Sequence, residues 1–306
     1  MHRVQSSIMF SLALLLSLPS LLCASQQDPT TLVIGKVSQN PKKHYRYLKP
    51  IAEYVAERMR DLGVRRAKVL MAPDNRRMIE YLRQGRVDWV TETVMSASIF
   101  AEEAGAEILL RKWKKGVPRY RTIFFARNDS GIRSLADLPG RTLALEDDGS
   151  TSSYYLPLSI LIGEGYDVAP LGSPRAQQQS RIDYLLAGDE INISTRVYQG
   201  LEDAGAFNNL DWRKPDHLPE LFRKEMRVIH QSQEYPRAVE LVRGGLEAAV
   251  RERLRSLLLR AHEDPDAEMP LHSYQRTLRF DALRPEELES IRALYQTVEL
   301  VQGSAR

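Results

Sequence analysis

Short apolar runs alternate with amphipathic helical patterns along most of the chain, and that alternation limits the folds open to it. Leu32-Val33-Ile34-Gly35 is an apolar run closed by glycine, followed by a polar loop from Lys36 to His44. Leu48, Ile51, Ala52, Val55, Met59 and Leu62 then recur at helical spacing until Gly63. Lys68 to Met71 reads as a second strand and Asp74 as a helix cap. Met78, Ile79 and Leu82 form the apolar side of a helix that ends at Gly85 before a strand over Val87 to Val90. A helix is expected around Ser96 to Ala104, with strands at Ile108 to Leu110 and Thr122 to Ala126. Strands separated by helices pair side by side in one direction, so the pattern predicts an α/β fold of mainly parallel sheets flanked by helices.

The same grammar restarts after the turn cluster Asn128-Asp129-Ser130-Gly131. Leu135-Ala136-Asp137-Leu138-Pro139-Gly140 leads to a strand over Thr142 to Leu145 and a helix start at Ser150, which predicts a second sheet. Gln84-Gly85-Arg86-Val87-Asp88 and Gln199-Gly200-Leu201-Glu202-Asp203 each close a helix with glycine and enter a strand through an aspartate, which supports an internal repeat. Val228-Ile229-His230 reads as a returning strand. The remainder reads as helical, with Leu241 to Leu259 and Pro285 to Val301 as its main segments. No low-complexity linker divides the halves, as expected of a chain that leaves one lobe, builds another and returns through short hinge strands.

The start of the chain carries an address. Met1-His2-Arg3 precedes the apolar stretch Ile8 to Leu22, which is followed by Cys23-Ala24-Ser25: a basic start, an apolar core and small residues at a cut. Residues 1–25 are therefore expected to be a signal peptide and the protein to work in the periplasm. Cys23 is the only cysteine, so cleavage after Ala24 or Ser25 leaves neither a disulfide nor a thiolate metal site. A lipid-bearing Cys23 is the less favoured use, because Ser20-Leu21-Leu22 puts a large residue immediately before it.

The remaining chain of about 280 residues is long enough for two domains. The 43 Lys+Arg nearly balance the 40 Asp+Glu, and basic residues are interspersed with acids along helical stretches such as Ala56 to Arg66. Such a balance marks solvated faces and argues against a nucleic-acid partner.

The sharpest local signal is Glu146-Asp147-Asp148-Gly149-Ser150-Thr151-Ser152-Ser153-Tyr154, between an expected strand and an expected helix. Four hydroxyls at a helix start stand beside unpaired backbone N–H groups at the positive end of the helix, a setting that suits an oxyanion or a carboxylate. One serine acting only as a helix cap is the simpler alternative.

Asn128-Asp129-Ser130-Gly131-Ile132, Leu135 to Gly140, and Ser150-Thr151-Ser152-Ser153-Tyr154 with Pro157 behind it resemble the phosphate/phosphite/phosphonate binding proteins of ABC importers. The resemblance runs from about Leu32 to Val301. It takes in Gly85-Arg86-Val87-Asp88, Asp203-Ala204-Gly205-Ala206 and Gln231-Ser232-Gln233-Glu234-Tyr235-Pro236. It implies a type II periplasmic binding protein with two lobes, each a mainly parallel sheet flanked by helices, and a ligand cleft between them. Residues 26–122 and 228–306 would form lobe 1, and residues 123–227 lobe 2.

Carried onto this sequence, the resemblance implies that Ser150, Thr151 and Ser152 hold the anionic group. Asp203 or Phe207-Asn208-Asn209 would lie at the opposite edge. In the first lobe the loop from Ser38 to Tyr47, with Tyr45, and the strand end Thr91-Glu92-Thr93 would face the ligand. Two positions depart from the pattern. Glu92 stands where an aromatic is common, and a buried carboxylate repels a phosphonate unless it is protonated or paired with a cation; a ligand ammonium is one such partner. Gly172-Ser173-Pro174-Arg175 replaces a segment that often carries histidine, so Arg175 is the candidate for a bidentate anion contact.

Enzymatic chemistry is poorly supplied. The six histidines are scattered and form no His-x-x-x-His pair or His-Glu-x-x-His signature, and Gly163-Glu164-Gly165 lacks the third glycine of a dinucleotide fingerprint. No Gly-x-Ser-x-Gly elbow surrounds Ser150. The expectation is a cofactor-free binder, not an enzyme, whose partners are a small anionic solute and the membrane permease of an ABC importer. An exported sensor for a membrane receptor is the alternative, since both would use a closure equilibrium shifted by a ligand that bridges the lobes.

Overall fold

The computed structural model of the protein describes residues 30–38, 40–173 and 180–304. The expected signal peptide and Arg175 lie outside the described residues. Strand β1 (Thr31–Val37) is followed by α1 (Pro41–Glu57), β2 (Arg66–Ala72), α2 (Asn75–Arg83), β3 (Trp89–Glu92), α3 (Val94–Ala104) and β4 (Glu107–Lys112). Two crossing strands, β5 (Arg119–Tyr120) and β6 (Thr122–Arg127), lead to β7 (Thr142–Leu145), α4 (Leu156–Gly163), β8 (Val168–Pro170), β9 (Ile182–Leu186), α5 (Glu190–Tyr198) and β10 (Ala204–Asn208). The chain returns through α6 (Glu220–Lys224), β11 (Met226–Gln231) and β12 (Tyr235–Pro236). It ends with β13 (Val239–Val242), α7 (Ala248–Arg260), α8 (Glu268–Ser273), β14 (Phe280–Asp281) and α9 (Pro285–Ser304).

These strands make two six-stranded sheets, β14-β4-β13-β3-β1-β2 and β11-β6-β10-β7-β9-β8, and a two-stranded ribbon of β5 and β12. The alternating strand and helix segments pair in parallel: β1 with β2 and β3, β7 with β9 and β10, and β8 with β9. The antiparallel pairs arise where the chain crosses. Strand β13 inserts between β3 and β4, β14 pairs with β4, and β6 lies between β10 and β11.

Three local expectations change. The helical segment expected from Leu241 begins at Ala248, because Val239-Glu240-Leu241-Val242 is a fully buried strand at the middle of the first sheet. A short segment of three aliphatic residues around Glu240, with Gly244-Gly245 shortly behind it, suits a buried strand as well as a helix, and length decides between them. Helix α1 starts at Pro41, ahead of the apolar pattern: the Asn40 side chain accepts a hydrogen bond from the Lys43 amide at 3.2 Å, and proline occupies the first turn, where its missing N–H costs nothing. The boundary expected between residues 227 and 228 falls inside β11, which pairs with β6 in the second sheet.

The repeat has a structural counterpart in both lobes. Gln84 and Gln199 are the C-terminal caps of α2 and α5, and the glycines after them have φ of 65° and 72°, a left-handed turn that glycine enters without steric penalty. Four residues beyond each cap an aspartate then ties its strand to a neighbour: Asp88 accepts from the Val33 amide at 2.9 Å, and Asp203 from the Thr142 amide at 2.8 Å. Gly205 serves close packing: a Cβ there would lie 2.7 Å from Ile193 and 2.8 Å from Phe125, so α5 rests directly on β10.

Helix α9 joins the two halves. Ile291 and Leu294 pack into a core shared with α2, α3 and β13, whereas Val301 packs against Leu158, Leu161 and their neighbours behind the second sheet. Glu287, in its first turn, accepts from buried Arg111 at 2.7 Å and from Arg119 of the crossing ribbon at 2.8 Å.

Candidate functional site

In both sheets the carboxyl ends of the parallel strands open onto one cavity of about 1010 Å³. That is where open α/β sheets place their ligands, because helix N-termini and loops converge there. Val37 ends β1 and Ser38 follows it, Glu92 ends β3 and Thr93 follows it, Glu146 follows β7 and Asn208 ends β10; all of them line the cavity.

Ser150 is a helix cap, with its hydroxyl accepting from the Ser153 amide at 3.2 Å. Thr151–Tyr155 form a widened turn in which the Tyr155 amide donates to the Ser150 carbonyl at 3.1 Å, five residues back. The amides of Thr151 and Ser152 make no hydrogen bond among the described residues, so two donors remain at the positive end of this helix. Both side chains are buried. The Ser152 carbonyl accepts from the Thr122 hydroxyl at 2.9 Å, and the Ser152 hydroxyl from Asn208 at 3.3 Å. Thr93 caps α3 from the opposite side, and its hydroxyl lies 2.9 Å from that of Thr151. Two helix N-termini thus meet across the cleft.

Glu92 is a paired carboxylate. One oxygen accepts from Lys36 at 3.0 Å and from the Val37 amide at 2.8 Å, and the other from the Thr93 amide at 3.3 Å. Its charge is compensated by the protein itself, so it neither repels an oxyanion strongly nor needs a ligand ammonium. Lys114 and Arg237 also line the cavity, and neither has a carboxylate within ion-pair distance among the described residues. Arg237 donates to the Lys114 carbonyl at 2.7 Å. Burial, with added repulsion from Lys36, Lys112 and Arg237, holds the Lys114 ammonium well below its ordinary pKa. Burial lowers Arg237 as well. Two recessed cations without acids would gain most from an anion.

The second lobe contributes an acidic wall. Burial, then Glu146 and Asp211, push Glu190 up to about 8, and burial raises Glu146. His217 Nδ1 stands 3.2 Å from Asp211 and 3.4 Å from Glu190, and the ligand atoms of these three residues lie within 4.8 Å of one another. Lys214 pairs with Asp211, which places an ammonium beside this cluster. In the first lobe burial, reinforced by Lys36, pulls His44 down to about 4, leaving a neutral ring bonded through Nδ1 to the Ser38 hydroxyl.

Of the residues singled out from sequence, Ser150, Thr151, Ser152, Glu92, Thr93 and Asn208 converge on the cavity. Tyr45 does not: it is 45% exposed and projects away, whereas its helical neighbour His44 faces in, since adjacent helical residues point about 100° apart. Asp203 does not either. It stands just before β10, at the end opposite the cleft, and its carboxylate is spent on the Thr142 amide and hydroxyl and on Arg141.

Sequence reasoning missed Lys36, Lys114, Arg237, Glu190 and Asp211. Arg237 directly follows the recognised Tyr235-Pro236 segment, and Lys114 lies in the turn before Gly116. Neither carries a local pattern that marks it as different from a surface cation.

The chain matches the family model described as "ABC transporter, phosphonate, periplasmic substrate-binding protein" over residues 35–288. Among solved structures, XAC2383 from Xanthomonas citri bound to ATP is 39% identical, covering 90% of this chain and 100% of the other at a TM-score of 0.82. The same protein bound to chloride ion is 40% identical, covering 90% and 99%, also at 0.82. PhnD1 from Prochlorococcus marinus (MIT 9301) in complex with methylphosphonate shares the fold at a TM-score of 0.63 and 15% identity, over 89% of this chain and 99% of the other. This family consists of type II periplasmic binding proteins, which work outside the cytoplasm and deliver ligands to the permease of an ABC transporter, and no helix of the described residues is long and apolar enough to cross a membrane. The chain belongs to the phosphonate periplasmic substrate-binding protein family of ABC transporters.

Proposed function

We propose that the protein captures a small solute bearing a phosphonate- or phosphate-type oxyanion between its lobes and presents it to the permease of an ABC importer. The observation that carries this reading is the meeting of two helix N-termini at Thr93 and Thr151, beside two basic residues, Lys114 and Arg237, that have no acid partner among the described residues. The oxyanion would sit on the free amides and hydroxyls of Thr151 and Ser152, with the Thr93 hydroxyl completing the ring from the first lobe. Asn208 orients Ser152, and the Lys36–Glu92 pair fixes the loop after β1.

The cleft supplies binding groups and lacks an assembled catalytic set. The hydroxyls of Thr151 and Ser152 have Thr93, Asn208 and the buried Tyr120 as side-chain partners, not a carboxylate or histidine base. We therefore read the protein as a binder, with residues 1–25 as its export signal. The ribbon of β5 and β12 and helix α9 serve as the hinge between two lobes built around the two large sheets. The ligand-bound relative supports an anionic ligand larger than a simple phosphonate, because a cavity of about 1010 Å³ exceeds what one small oxyanion fills.

Thermal-shift and calorimetric screening of the protein without residues 1–25 tests this against phosphate, phosphite, methylphosphonate, aminophosphonates, ATP, sulfate and small carboxylates. A ligand at one hundred times its dissociation constant stabilises the folded state by about 2.7 kcal/mol. A saturable shift with a phosphorus oxyanion is the expected result. A shift confined to carboxylates or sulfate would overturn the proposed ligand class.

A further inference from the structure

Three non-glycine residues among those described have positive φ: Lys115 at 53°, Gln275 at 61° and Arg276 at 51°. They meet at one corner of the molecule, where the Gln275 carbonyl accepts from the Lys115 amide at 3.2 Å. Lys115 and Gln275 both line the cleft. A left-handed backbone costs a residue with a Cβ about 1 kcal/mol or more, and such conformations gather where a site needs a group held in one place.

The Gln275 side chain is held from behind. Lys112 is buried, donates to the Thr91 hydroxyl at 2.5 Å and to Gln275 Oε1 at 3.2 Å, and has Glu240 at 3.6 Å as its counter-charge. An ammonium only donates, so the amide oxygen must face Lys112 and the amide nitrogen must face away. Gln275 Nε2 makes no hydrogen bond among the described residues. The buried lysine therefore selects the orientation of the amide, with the NH₂ group turned from Lys112 in a residue that lines the cleft.

We propose that Gln275 contacts the ligand of the cleft, donating from Nε2 to its anionic group, with Lys112 as the residue that positions it. The inference rests on the anion-binding reading of the cleft and adds a contact from the C-terminal segment, far in sequence from the Ser150 to Ser152 run. A neutral donor at this point selects an acceptor oxygen without adding to the charge already carried by Lys114 and Arg237.

Crystals of the full mature chain soaked in sodium tungstate, a heavy tetrahedral oxyanion, give the direct test. An anomalous peak within hydrogen-bonding distance of Gln275 Nε2 is expected. Tungstate seated at Ser150 to Ser152 but out of reach of Gln275 would overturn this inference and leave the anion-binding reading standing. Tungstate absent from the cleft would overturn both. In solution, Gln275→Glu keeps an acceptor for Lys112 but turns a carboxylate toward the cleft, and its affinity for inorganic phosphate should fall about tenfold or more with an unchanged melting temperature. Gln275→Met removes the donor without adding charge and should fall by a smaller factor. Unchanged phosphate affinity in both variants would sink the assignment.

Discussion

The hydroxyls of Thr93 and Thr151 lie 2.9 Å apart across the cleft, Thr93 standing at the N-cap position of α3 and Thr151 opening the widened turn that leads into α4. This hydrogen bond spans the cleft at the point where an oxyanion would find the most donors. A bound oxyanion would replace a neutral contact with charge-assisted ones, which are shorter and about twice as strong.

Thr151→Ala should therefore lower affinity for a phosphorus oxyanion by about tenfold to a hundredfold, the value of one hydrogen bond to a charged group. The melting temperature without ligand should barely move, since the side chain fills little core. Thr93→Val removes the opposite hydroxyl and should enlarge the radius of gyration of the protein without ligand in small-angle scattering, because one hydrogen bond between the lobes is lost. Wild-type affinity in Thr151→Ala would take the oxyanion away from this helix.

The parts of the fold visible in sequence are those set by local periodicity. Asp74 caps α2, as its position before an apolar pattern implied, by accepting from the Arg77 amide at 2.8 Å. Ser150 to Ser152 stood out because four hydroxyls at a helix start are a local pattern. Strand β13 was hidden because a buried four-residue segment is too short to carry a period of its own, and only its place between β3 and β4 decides its state. The electrostatics of the cleft were hidden for a related reason. Lys36 meets Glu92, 56 residues away, and Lys114 meets Arg237, 123 residues away, through loops that only the closed topology brings together. Asp203 was legible as a repeat of Asp88, but not the fact that the repeat is structural: both aspartates hold a neighbouring strand's amide away from the cleft.

Lys114 links ligand binding to protons. Its folded pKa lies well below 10.5, chiefly through burial, so between that lowered value and 10.5 the free protein holds a neutral amine. An oxyanion beside it favours the ammonium and raises the pKa, so binding in this window takes up a proton. Calorimetry at a series of pH values below 10.5, each in two buffers of different ionisation enthalpy, should show that uptake. Lys114→Arg, charged throughout, should bind without it. Uptake that persists in Lys114→Arg would place the linked group elsewhere.

Glu190 makes the opposite kind of statement, about stability. Its carboxyl is raised from 4.5 to about 8 by burial and then by Glu146 and Asp211, so the folded protein binds a proton that the unfolded chain releases. That contribution is fully present below about pH 4.5 and is lost as pH rises through about 8, where a charge is forced onto the acidic wall. Glutamine has nearly the same shape and stays neutral. Glu190→Gln should thus match the wild type near pH 4 and exceed it by about 1–3 kcal/mol at pH 8.5, a range that allows for partial solvent screening of the shift. Urea unfolding at both pH values measures the difference. A stability gain independent of pH would mean that Glu190 is destabilising for a reason other than its charge, and a loss at pH 8.5 would mean that its carboxylate is satisfied by Lys214 in the folded state.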